Sequence, residues 1–347
     1  MMNASDTKED QLLIFRGAIY ELSSVTIPVS LLVISHSTVI FFDYLKDRAK
    51  FVPCLFMGIA LSDILAAQGQ LVLSVLSILV YNGMVGERVL YRSLYYYMAT
   101  ALPGYTCSRL YNVILSLTLT VHVVDPFRHL NSPRLKTAVL IFSATLAFLH
   151  LSDVALFNIA DMKYDIETVL TTPYLDLVKW FDIPGGFTAA LLFCAPTHGA
   201  VEESRCYNQG LQLNGYTVLV ALLLNHILPP LLILVCMIIQ VVHLRQALSD
   251  STSPLASTSR RACVTIVLVS LTFFVCHSAY ILTGIVFSLI YRYLNTLPSA
   301  ITQGNILGFT VFLLPLINSA LYPLILIIRK PELRQRYRDL YRRARSC

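Results

Sequence analysis

A membrane-embedded bundle of α-helices is the fold class that this sequence predicts. Its composition is the first reason: 56% of its 347 residues are hydrophobic and only 13% are charged, whereas a soluble domain carries about 25% charged residues. The second is a series of seven long apolar runs, near 24–42, 53–81, 93–124, 135–158, 214–243, 262–291 and 301–328. A hydrocarbon core about 30 Å thick needs roughly 20 such residues per helix. The third is continuity, because no internal repeat and no Gly/Ser linker divides the chain. These observations predict an all-α, seven-transmembrane helix bundle over 24–328, an N-terminal tail over 1–23, and a basic tail helix over 329–347.

The tail before the first run carries Lys8, Glu9, Asp10, Arg16 and Glu21. It therefore lacks the basic end and immediate apolar core of a cleavable signal peptide, and the first run is expected to act as an uncleaved signal anchor. The second run contains Asp63, the third Arg109 and the fourth Asp153. Val169–Thr197 is rejected as an eighth span, since Asp176, Lys179, Asp182, Pro173 and Pro184 would place charges and broken backbone bonding in lipid. It reads as a long outer loop. The stretch 249–259 is the one low-complexity segment, a polar linker open to phosphorylation. After Pro331, Leu333, Tyr337, Leu340 and Tyr341 recur at helical spacing among six arginines, the pattern of an amphipathic helix on an anionic inner leaflet. Terminal Cys347 lacks a C-a-a-X arrangement, and reads as acylated or as an unmodified thiol.

Orientation follows from the basic residues, which are retained on the cytoplasmic side. The segments 43–52, 125–136, 244–261 and 329–347 hold 17 Lys and Arg, against 8 in 1–23, 82–92, 159–213 and 291–300. The expected protein is thus a multi-pass protein of the plasma membrane, N-terminus extracellular and C-terminus cytoplasmic. The sequon Asn3-Ala4-Ser5 falls on the outer tail, which makes Asn3 a candidate glycosylation site. Of eight cysteines only Cys194 and Cys206 fall together on the oxidising side, and they are expected to bridge. Histidines and cysteines lack metal-like spacing, and no phosphate-binding Gly-rich loop is present. Neither an enzyme, a metal centre nor a nucleic-acid partner is expected; membrane lipids are.

The fragments in the spans resemble rhodopsin-like G-protein-coupled receptors. Helix 2 carries Leu61-Ser62-Asp63, similar to the family's Leu-Ala-x-x-Asp. Helix 3 ends in Ser116 to Val124 followed by Asp125-Pro126-Phe127-Arg128-His129. Helix 6 has Phe273-Phe274-Val275-Cys276-His277, and helix 7 has Asn318-Ser319-Ala320-Leu321-Tyr322, similar to Asn-Pro-x-x-Tyr. The resemblance covers the whole membrane domain and identifies a divergent member, orphan or chemosensory. It implies a polar core of Asp63, Ser108 and Asn318 able to hold a sodium ion, and activation switch positions at Leu119, Phe273, His277, Asn318 and Tyr322. It also implies a heterotrimeric G protein as partner and an extracellular ligand as input.

Departures from the family pattern are pronounced. Thr118-Leu119-Thr120 occupies the place of Asp-Arg-Tyr, His277 that of a tryptophan, Ser319 that of a proline and His36 that of an asparagine. The cysteine usual at the outer end of helix 3 is missing. Within the bundle an ionisable group must pair or line a polar cavity, so Asp63 is either the centre of a switchable polar site or a staple neutralised by hydrogen bonds or by Arg109. Asp153 is expected near solvent, and His277 is expected as a hydrogen-bonded core residue. Upper helix 3 offers Tyr95, Tyr96, Tyr97, Ala101 and Pro103 but no acid for a ligand ammonium, which argues against a biogenic amine. Arg88 and Arg92 near the mouth are open to an anionic group or to solvent. The expected function is transduction of an extracellular ligand to heterotrimeric G proteins. A receptor-fold protein that no longer couples, as a scavenger or dimer partner, is the alternative, with a transporter behind it.

Overall fold

The computed structural model describes residues 4–125, 132–164, 227–249, 264–265, 267–278 and 313–346. All regular structure among them is helical: α1 (Ala4–Leu45), α2 (Phe51–Tyr81), α3 (Glu87–Val124), α4 (Pro133–Tyr164), α5 (Leu228–Ser249), α6 (Val267–Ser278), α7 (Leu314–Arg329) and α8 (Pro331–Ser346). Asn3, Cys194, Cys206 and the segment Val169–Thr197 lie outside the described residues, as do the side chains of Arg88, Arg92 and Asp153.

Four helices are long and apolar enough to cross a membrane: Leu22–Leu45, Phe51–Tyr81, Tyr96–Val124 and Pro133–Ser152. The apolar stretches Leu228–His243, Val267–Ser278 and Leu314–Arg329 of α5, α6 and α7 are shorter, so the seven spans expected from sequence are not all established. Two boundaries move. The segment expected as an N-terminal tail continues α1 back to Ala4, since no proline interrupts the chain before Pro28. α3 begins at Glu87, straight after Gly86 at its N-cap, rather than at 93.

The faces of these helices are inverted relative to a soluble protein. Leu31, Phe42, Leu61, Ile141, Phe142 and Phe148 are exposed, while Ser30, Ser37, Asp63, Gln70, Asn112 and Gln240 are buried. Burying hydroxyls and amides while showing leucine and phenylalanine outward is unfavourable in water and favourable in lipid, where polar groups must be satisfied internally.

α1 and α2 form an antiparallel pair with one register along its length. Thr26 and Ser74 share a hydrogen bond of 2.5 Å, and Tyr44 stacks on Phe56 with ring centroids 4.8 Å apart. Between these contacts, each step of three or four residues along α1 is matched by an equal step back along α2. This register sets Ser30 level with Gln70, Val33 with Ala67, Ser37 with Asp63 and Ile40 with Ala60. All eight are buried, and Val33 shares a small cluster with Ala67, Leu316 and Ala320. The alternating three- and four-residue steps on α1 are those of a left-handed helix pair. A tight turn sets the register, through Asp47 N–H to Tyr44 O (3.0 Å) and Lys50 N–H to Asp47 O (2.9 Å). Lys50 also pairs with the Asp47 carboxylate at 2.9 Å and holds it below the usual carboxylate range.

α2 ends where Gly83 takes φ +69° and the N–H groups of Gly83 and Met84 return to Val80 O and Leu79 O, a left-handed stop that glycine accommodates without strain. α3 then packs closely against α2 through small residues. A methyl group on Gly104 would lie 2.6 Å from Ser62 O and 2.8 Å from Ala66 N, and one on Gly58 would lie 2.6 Å from the Tyr111 ring. α3 runs through the interior of the assembly and touches α2, α4 and α5, while α7 touches α1, α2 and α8.

The tail helix α8 forms as expected, but it is fastened to the bundle as well as amphipathic. Leu333 is fully buried in the same cluster as Ile40, Tyr44 and Tyr322. Arg336 pairs with Asp43, the Tyr337 ring meets His36 edge-on at 5.4 Å, and its hydroxyl donates to His36 O at 3.4 Å. Lys330 sits 4.2 Å from the Tyr44 ring; burial pushes its ammonium below the usual lysine range, against the pull of Glu332 and Asp47.

Candidate functional site: a polar core and an inner hydroxyl node

Asp63 is the one carboxylate buried among the described residues, and its placement follows from helix spacing. It lies on the face of α2 that carries Ile59, Ala66, Ala67 and Gln70 inward, so its carboxylate enters the junction of α2, α3 and α7. Ser108 Oγ donates to Asp63 Oδ1 at 3.0 Å, and Ser319 Oγ donates to the same oxygen at 2.9 Å. Asn112 Nδ2 donates to Ser108 O at 2.8 Å and reaches Ser108 Oγ at 3.5 Å. One carboxylate oxygen thus joins three helices.

Of the expected ways to neutralise Asp63 the structure shows the hydrogen bonds, while the α7 contact expected from Asn318 is corrected. Arg109 does not neutralise Asp63: its Nε donates to Tyr105 O at 3.4 Å and its Nη2 to Thr106 Oγ1 at 3.2 Å. An arginine one residue beyond Ser108 is turned about 100° around the helix, away from the face that meets α2. Nor does Asn318 supply the α7 contact. Asn318 is buried, but the bond to Asp63 comes from Ser319. The substitution read as a departure from proline is what ties α7 to the acid. Proline has no side-chain donor.

The positions expected as switches are spread through the core. Phe273 is almost fully buried and stacks on His277 with centroids 3.9 Å apart, and His277 Nδ1 lies 3.1 Å from Phe273 O. Tyr322 is buried beside Phe56, centroids 6.1 Å apart, with its hydroxyl unpartnered. Leu119 is partly buried against the cluster of Tyr44, Phe51, Tyr111 and Tyr322. Its neighbour Thr118 is buried and donates back to Ile114 O at 2.7 Å. Tyr97 is buried and Tyr96 exposed, so the tyrosine group of upper α3 does not present one common face.

A second polar node, missed in the sequence, lies one turn from Leu119. Gln240 of α5 is fully buried and donates to Thr120 Oγ1 at 2.9 Å and to Ser116 O at 3.3 Å. Ser116 Oγ is 3.4 Å from Ser270 Oγ of α6. Neutral hydrogen bonds therefore tie α5 and α6 to α3 beside the position where the resemblance would place an arginine. The signal available beforehand was the lone amide in an apolar run, which is costly in lipid unless it is bonded.

Cys107, Cys236 and Cys276 are buried thiols and Cys54 is partly buried. Among the described residues no group of three His, Cys, Asp or Glu side chains is placed to hold a metal ion. The oxygens around Asp63 are of another kind, a carboxylate with two hydroxyls, the donor set that hard cations take. No protein-family model matches the chain, and no curated protein matches it.

Proposed function

We propose that this chain is a divergent receptor of the rhodopsin-like kind, which transduces an extracellular ligand to heterotrimeric G proteins across the plasma membrane. The observation that carries the reading is the three-helix junction at Asp63. A buried carboxylate that holds α7 to α2 and α3 through two hydroxyl bonds is an element whose state sets the position of α7. Ligand binding on the outer side shifts such an equilibrium only through differential contact with its two states. The order of the fragments along the chain supports the same reading. Asp63, Ser108 and Ser319 would hold a sodium ion, which supplies a positive charge that favours the ionised acid and a closed junction.

A non-coupling receptor-fold protein is the second reading, and Leu119 favours it. Arginine presents donors to a partner's carbonyls and leucine presents none, and Leu119 is packed into the core cluster. Ligand-free nucleotide exchange, measured in membranes with a panel of G-protein subunits against mock membranes, separates the two. Exchange above the mock control supports the coupling receptor. Its absence across the panel, with the protein at the cell surface, overturns coupling.

A further inference from the structure

The α1–α2 seam carries polar groups that the junction at Asp63 does not use. Ser30 Oγ, Ser37 Oγ and Gln70 Oε1 are buried from solvent and lack a hydrogen-bond partner. Ser30 is 0% and Gln70 3% exposed. A buried polar atom left unpaired costs roughly 1–3 kcal/mol, and each such atom in a native fold calls for an explanation.

Register supplies one. Ser30 and Gln70 stand one helical turn inward of the Thr26–Ser74 hydrogen bond, at the same level on facing helices. A serine hydroxyl is a donor and an amide oxygen an acceptor. Neither atom bonds the other or any other group of the protein, so both are open to a bridging partner. The pairs on either side are closed, by the Thr26–Ser74 bond and by the apolar contact of Val33 with Ala67. A ligand there must be small, must accept from Ser30 and must donate to Gln70. It carries no net charge, because neither Ser30 nor Gln70 offers a counter-charge.

We propose that Ser30 and Gln70 form a binding site for a single ordered water, which accepts the Ser30 hydroxyl proton and donates to Gln70 Oε1. Buried waters characteristically make two to four such bonds to groups otherwise unsatisfied. The water bridges α1 to α2 outward of Asp63, and Ser37 offers a further unpaired hydroxyl at the level of the acid.

A structure of the full chain by electron cryomicroscopy, at a resolution that reveals other internal waters, tests the site directly. The expected result is a density feature about 2.7–3.0 Å from both Ser30 Oγ and Gln70 Oε1. Ser30→Ala, which removes only one oxygen, should lose that feature and leave Thr26 and Ser74 paired. The absence of that feature from the native chain overturns the proposal, and so does a direct bond between the Gln70 amide and Ser30. Density that persists unchanged in Ser30→Ala also overturns it.

Discussion

Replacing Asp63 separates the electrostatic from the geometric role of the junction. Both hydroxyl donors converge on Oδ1, Ser108 at 3.0 Å and Ser319 at 2.9 Å. Asparagine retains an oxygen there and alanine does not. Hydrogen bonds to a charged acceptor contribute about 1.5–3 kcal/mol each, so Asp63→Ala forfeits an upper limit of roughly 3–6 kcal/mol. The actual loss is smaller, because the carboxylate no longer has to be held out of water. Asp63→Asn should keep surface expression and unfold close to the native temperature, while Asp63→Ala should unfold earlier and reach the surface poorly. The decisive measurement is a double-mutant cycle by thermal unfolding of purified protein. Ser319→Ala should destabilise the native chain but cost almost nothing in the Asp63→Ala background, where its hydroxyl has already lost its acceptor. A full Ser319→Ala cost in that background would refute the junction.

Further outcomes follow from the packing. Gly104→Ala sets a methyl group against the α2 backbone and should destabilise by about 1–3 kcal/mol, whereas Gly69→Ala meets the Thr100 hydroxyl, which rotates aside at the cost of its bond to Tyr96 O, and reaches Ala101 backbone only at 3.1 Å; unfolding midpoints should rank Gly104→Ala lower. Gln240→Leu should leave stability nearly unchanged, because Thr120 still donates to Ser116 O at 2.8 Å, but it should broaden spin-label distances between α5 and α3. Asp43→Ala removes the partner of Arg336, a contact worth about 1 kcal/mol at a half-exposed site, and should speed amide exchange in α8 about fivefold, with no change in α2. Peptide mapping without reduction should recover Cys194 linked to Cys206.

Much of this was legible in the sequence where one physical signal dominates. Sustained hydropathy marked the first four helices, and the cost of a charge in lipid singled out Asp63. Helical spacing of Leu333 and Tyr337 foretold α8. The rest depended on which neighbour a side chain meets. Serine in an apolar run reads equally as a residue bonded to its own helix, as Ser77 is to Leu73 O at 2.7 Å, or as half of an interhelical contact, as Ser319 is. Arg109 was one candidate partner for Asp63 because both are charged at membrane depth, yet the rotation between adjacent helix positions sends it elsewhere. Asn318 was favoured over Ser319 by resemblance, and one residue again decided the contact.

The turn at 46–50 gives the whole α1–α2 pair a common phase. One residue added there would rotate α2 by about 100° and slide it about 1.5 Å, and every facing pair from Tyr44–Phe56 to Thr26–Ser74 would fall out of step together. Asp63 would turn away from Ser108 and Ser319 in the same movement. Substitutions in this hairpin thus act singly, while changes of length act on all levels at once. Chimeras and fusion partners for the protein are best joined at sites other than this turn, although it lies at the surface where insertions are ordinarily harmless.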